Sequence, residues 1–204
     1  MTTHGSTGRR PRFRGPQAPT PGGTADQTPD ADPESVARAI VLRQLTMAPR
    51  SRAQLAQKLA DRGTPTDVAE RVLDRMEHVG LVDDVAFAES WVRSRRETRG
   101  LSRRALAHEL RGKGIDDDTV GATLDQLDDD AERQTATDLV RRRLPSLRGL
   151  PREKQVNRLV GMLARKGYGS GLAFRVVRHE LGDESLPDTG HDDPLEPVAD
   201  QPDS

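Results

Sequence analysis

Five arginines, Arg95, Arg96, Arg99, Arg103 and Arg104, crowd around one glycine, Gly100. A second basic group follows further along: Arg141, Arg142, Arg143, Arg148, Arg152, Lys154 and Arg158. A guanidinium keeps its proton at any physiological pH and presents a rigid fork of donors, so such clusters bind phosphates or carboxylates and do not exchange protons. Leu139 to Lys154 reads LVRRRLPSLRGLPREK, six bases with the single acid Glu153. Two kinds of partner suit these patches: a nucleic-acid backbone, through release of its counterions, or the acidic surface of a protein assembly. Reading of base sequence is disfavoured. Single-strand binders usually add several stacking aromatics, and this chain has one Trp, one Tyr and three Phe.

Two qualifications come from spacing. Arg93 lies between Glu89 and Glu97 at successive i, i+4 steps, which predicts a surface ion-pair ladder. Arg141, Arg142 and Arg143 close a helical pattern, where cations also complement the negative end of the dipole.

The carboxylate clusters Asp83 with Asp84, and Asp116 with Asp117 and Asp118, both precede helical patterns and read as caps of first turns. A metal site would need further ligands converging on them. His78, His108 and His179 are isolated, and no GxxxxGK[ST], GxSxG or HExxH occurs. No metal, cofactor or catalytic residue is expected, and the chain reads as a binding protein, not an enzyme.

The elements that position the arginines follow from composition and periodicity. Only 33% of the 204 residues are hydrophobic and 32% are charged, so the core must be thin or the flanks disordered. Residues 1–33 hold six Pro and five Gly, and residues 182–204 hold four more Pro and eight acids without a Lys or Arg. Both flanks read as disordered. Between them, residues 34–181 carry 28 bases and 22 acids, a balance of +6. The acidic tail could fold back on this basic body, competing with its anionic partners. With no cysteine, no apolar leader and no apolar run of membrane length, the reading is a soluble, cytoplasmic protein that does not enter a membrane.

The middle is helical throughout. Val156, Leu159, Val160 and Leu163 mark one apolar stripe, and Phe87 with Trp91, flanked by Ala88 and Val92, marks another, which places Trp91 in the core. Asp32, Ser51, Thr64, Asp84, Ser102, Asp116 and Ser170 are expected as N-caps, and Gly63, Gly80, Gly100, Gly114 and Gly167 as helix ends. About nine short helices result.

These helices repeat. Ser51 to Leu73 (SRAQLAQKLADRGTPTDVAERVL) aligns without gaps on Ser102 to Leu124 (SRRALAHELRGKGIDDDTVGATL), and a third copy brings Leu159, Leu163, Gly167, Ala173 and Val177 to equivalent places. The expected fold is all-α: three tandem three-helix repeats at 34–82, 83–128 and 129–181, stacked as an elongated, curved solenoid whose units bury their stripes partly against one another.

VDDVAFAESWV (Val82 to Val92) followed by GLSRRALAHELRGKGI (Gly100 to Ile115), within this architecture, resembles the RecX family of regulatory proteins. The first-repeat segments SRAQLAQKLADRG and VLDRMEHVGLVDD, and Gly167 with Tyr168 in the last repeat, fit the same family. The resemblance spans roughly residues 34–181; the long flanks depart from it. It implies a modulator that lodges in the groove of the RecA recombinase filament and suppresses its ATPase, strand-exchange and co-protease activities. DNA repair, recombination and the SOS response would be regulated through it, with weak, non-specific binding of single-stranded DNA. Both basic groups would be its contact surface, acting as a monomer. Short helices joined by glycine turns also permit a general DNA-binding helical protein or a helix-turn-helix regulator.

Overall fold

A computed structural model describes residues 32–182. The disorder expected of the flanks therefore concerns, apart from Asp32, Pro33 and Gly182, residues outside that range. The described residues form nine α-helices and no strand: α1 Pro33–Met47, α2 Arg52–Ala60, α3 Thr66–His78, α4 Asp84–Arg99, α5 Arg103–Arg111, α6 Asp117–Asp125, α7 Asp129–Arg143, α8 Arg152–Arg165 and α9 Ser170–Leu181. A 3-10 turn, Leu144–Leu147, follows α7.

Most starts are where short polar side chains can take orphan amides. Asp32 accepts from Glu34 and Ser35 before the proline at 33, Ser51 forms a reciprocal capping box with Gln54, and Ser102 and Asp116 accept from Ala105 and Thr119. Three expected caps are displaced. Pro65, not Thr64, holds the cap position of α3, and Gly169, not Ser170, that of α9, each without a side-chain bond. Asp83, not Asp84, caps α4 through the Ala86 amide. The neighbouring acid serves another helix altogether.

Three separate cores form. Ala37, Val41, Leu55, Leu59, Val72 and Leu73 lie in the first, with Met76 and Val82 closing it. Phe87, Val92, Leu106, Leu110, Val120 and Leu124 build the second, and Val140, Leu147, Leu159, Leu163, Tyr168 and Val177 the third. Removing one such leucine side chain from water is worth about 1.5–3 kcal/mol, so each trio of helices is held mainly from within. The expectation of stripes shared between neighbours is corrected accordingly: each three-helix unit closes a core of its own.

What joins the units is polar, small and repeated. Asp84 Oδ1 accepts from the Arg52 amide, first residue of α2, at 2.8 Å, and Glu132 Oε1 accepts from the Arg103 amide, first residue of α5, at 2.8 Å. Each repeat thus caps the middle helix of the repeat before it. Ser51 Oγ donates to the carbonyl of Lys113 at 2.6 Å, and the Ser102 amide donates to that of Lys166 at 3.0 Å; both serines are buried. The turn glycines dock on the same helix starts. A Cβ on Gly114 would lie 2.3 Å from the Ala53 Cβ, and one on Gly167 would lie 2.6 Å from Ser102 Oγ and 2.7 Å from the Ala105 Cβ. With φ of 77° and 87°, both positions ask for glycine twice over, by conformation and by space.

Candidate nucleic-acid and protein interface

Gly100, in the left-handed conformation, turns α4 into α5 and lays the two helices side by side. That turn spends much of the first arginine group internally. Arg95 Nε and Arg99 Nη1 donate to Glu109 at 3.0 and 3.1 Å. Arg96 Nη2 reaches the Ala131 carbonyl at 3.3 Å and Thr135 Oγ1 at 3.4 Å, fastening α4 to α7. Arg103 pairs with Asp125 at 3.1 Å. Arg104 is exposed, its side chain without a hydrogen bond or ion pair among the described residues. Glu109 was missed from sequence, because its pairing crosses the Gly100 turn and has no local spacing to announce it.

The stripe containing Trp91 divides. Phe87 is buried, whereas Trp91 is half-buried against the second core and stacks on Phe87 with centroids 5.9 Å apart. Its indole nitrogen donates to Glu109 at 2.9 Å, and Arg95 and Lys113 each lie 4.0 Å from the ring centroid. Trp91, expected in the core, packs at its margin, where a polar edge and two cations hold it. The expected ladder of Arg93 with Glu89 and Glu97 is also absent among the described residues. Arg93 instead borders, with both acids, a pocket between α4, α6 and α7.

In the second group, Arg141 binds Glu180 through two bonds of 2.8 and 2.9 Å. Glu180 is largely buried, and the Arg141 guanidinium holds its carboxyl below the usual range, with His179 adding to the effect. Arg142 Nε leans on its own helix at the Asp138 carbonyl, 3.3 Å away, and Arg152 bonds the Leu181 carbonyl. Arg143, Arg148, Lys154 and Arg158 are exposed, and their side chains carry no hydrogen bond or ion pair among the described residues.

Lys166 connects the two groups. Its ammonium donates to the Arg99 carbonyl across the joint between the second and third repeats. Burial lowers its pKa, and the charges of Arg99 and Arg142 lower it further. Arginines far apart in sequence therefore converge on one half-buried lysine. Close by, the Tyr168 hydroxyl donates to the Gly100 carbonyl at 3.1 Å, and burial raises the phenol pKa; the ring is buried in the third core. Among the described residues no group of three or more acids or histidines could hold a metal, and no helix is long and apolar enough to cross a membrane.

Fold and site define a modular all-helical protein of three three-helix units with a cationic zone at its second joint. Three domain profiles of one family match it in order: the first three-helix domain of RecX at 37–76, the second at 83–124 and the third at 130–177. The chain is 56% identical over 166 residues to a regulatory protein RecX of Thermobifida fusca, covering 81% of this chain and 88% of that one. It is 53% identical to the Streptomyces coelicolor protein of that name, with coverage of 80% and 86%, and 47% identical to that of Mycolicibacterium smegmatis, with coverage of 87% and 96%. The crystal structure of RecX from Lactobacillus salivarius has the same fold, with a TM-score of 0.66 at 21% identity over 73% of this chain and 97% of that one. The chain belongs to the RecX family of regulatory proteins.

Proposed function

We propose that this protein is a non-enzymatic regulator of the RecA recombinase, the partner that membership of the RecX family implies. It binds the RecA filament on single-stranded DNA as a cytoplasmic monomer and lowers its ATPase, strand-exchange and co-protease activities. The observation that carries this reading is the gathering of the Arg99, Arg142 and Lys166 charges at the second joint, continued by the side chains of Arg143, Arg148, Lys154 and Arg158, which have no partner among the described residues. Arg99 is offset by Glu109, but the other like charges have no carboxylate partner among the described residues; such a gathering opposes folding, and an anionic surface laid across it relieves that cost. Phosphates of a single strand and acidic side chains of a protein filament both supply one.

Titration of the protein into RecA, single-stranded DNA and ATP tests this directly. Inhibition of ATP hydrolysis at substoichiometric protein supports action on the filament. Inhibition that appears only once protein coats the DNA overturns it in favour of a general DNA-binding protein.

A further inference from the structure

A groove of about 1070 Å³ runs between α7 and α9 and shares only Arg141 with the second basic group. Arg133, Thr137 and Arg141 line it from α7, and Arg175, Arg178 and His179 from α9. Its one lining acid, Glu180, is already engaged by Arg141. Arg133 meets Asp130 at 2.9 Å, but both are exposed, and a pair of that kind is worth little. Arg175 is exposed, and its side chain makes no hydrogen bond or ion pair among the described residues.

Gly182 also lines this groove, and its φ of 64° ends α9 there. The chain then continues through Asp183, Glu184, Asp188, Asp192, Asp193, Glu196, Asp200 and Asp203 without a Lys or Arg. Residues 183–204 could span up to about 70 Å at roughly 3.3 Å per residue, whereas α7 is about 22 Å long at 1.5 Å per residue. An acidic segment of ample length is thus tethered at the edge of a basic groove.

We propose that residues 183–204 dock in the α7/α9 groove as an acidic strap that shields its cations from other polyanions. A short tether holds the strap at about millimolar effective concentration, enough to compete with weak anionic ligands. The docking is independent of the RecA reading; the shielding of DNA rests on it.

The full chain lacks cysteine, so Ser204→Cys accepts a single nitroxide. At low salt the label should broaden amide signals of α7 and α9 more than those of α2 and α3. The excess should vanish in high salt and in the Arg133→Gln, Arg175→Gln, Arg178→Gln variant. Equal broadening, or broadening indifferent to that variant, overturns the docking. Replacing the eight tail acids with their amides should raise affinity for a fluorescent oligothymidylate about tenfold at low salt. Docking without that gain overturns the shielding. An unaltered chain that binds DNA yet leaves RecA uninhibited counts against the proposed function alone.

Discussion

The indole nitrogen of Trp91 donates a 2.9 Å hydrogen bond to Oε2 of Glu109, the carboxylate that also receives Arg95 and Arg99. One acid therefore decides how much of the second repeat's positive charge faces outward. Glu109→Gln keeps an acceptor for the indole but releases both arginines. Tryptophan emission should shift, stability should fall by about 1–2 kcal/mol, and single-strand binding should depend more steeply on salt, by about 0.7–1.4 in the logarithmic slope. Equilibrium unfolding and a salt series of binding isotherms check these effects together.

Turn glycines should rank by what their Cβ would meet. Gly63, with φ of 73° and nothing within 4 Å, should cost about 1–2 kcal/mol on change to alanine, the penalty of the left-handed conformation. Gly167→Ala adds a collision with Ser102 and Ala105 and should cost about 3–5 kcal/mol. Urea midpoints of the two variants, compared at equal m-values, give the ranking.

Loss of the cross-joint caps should loosen the start of the helix being capped, not of the helix bearing the acid. Asp84→Ala should cost about 1 kcal/mol and speed hydrogen exchange at the first turn of α2, leaving the Asp83 cap of α4 in place. Glu132→Ala should act likewise on α5. Amide exchange resolved by residue tells capping from a general weakening.

Acid should act on the third repeat through Glu180. Its folded pKa lies below the unfolded value because Arg141 stabilises the carboxylate. The stability this provides is present above the unfolded value, about 4.3, and is lost as pH falls through the folded one. Arg141→Gln should lower stability at neutrality and flatten its decline in acid, as melting temperatures from pH 7 down to about 3 would register.

The two basic groups should separate in mutagenesis. Alanines at Arg143, Arg148, Lys154 and Arg158 remove charges with no partner among the described residues, so helical content should hold. The salt slope of single-strand binding should drop by up to about 2–3, with filament affinity falling alongside. Alanines at Arg95, Arg96, Arg99, Arg103 and Arg104 should also weaken binding, but they break the bonds to Glu109, Thr135 and Asp125 and should destabilise the fold too. Circular dichroism beside anisotropy titration divides the two effects.

Helix type, number and repetition were legible because they rest on local spacing: apolar stripes, cap residues and glycines recurring at shifts of 51 and 53 residues. Family membership was legible through resemblance, in VDDVAFAESWV followed by GLSRRALAHELRGKGI. Relations between helices were not. Asp84 looked like a cap of its own helix and is one of another, and Ser102 caps α5 while also bonding Lys166 across the joint. The basic groups were found, yet their division into engaged and outward-facing arginines depends on Glu109 and Glu180, which approach only after the chain has turned. Lys166 gave no signal at all, since its importance lies in the arginines that surround it.

Three cores tied by a few buried polar contacts also set the manner in which the molecule comes apart. Each unit of about fifty residues is marginal alone, so a pull on either end, or heat, should peel a terminal repeat while the middle one, braced on both sides, goes last. The second repeat, which carries Trp91 and Gly100, is thus the keystone of the row.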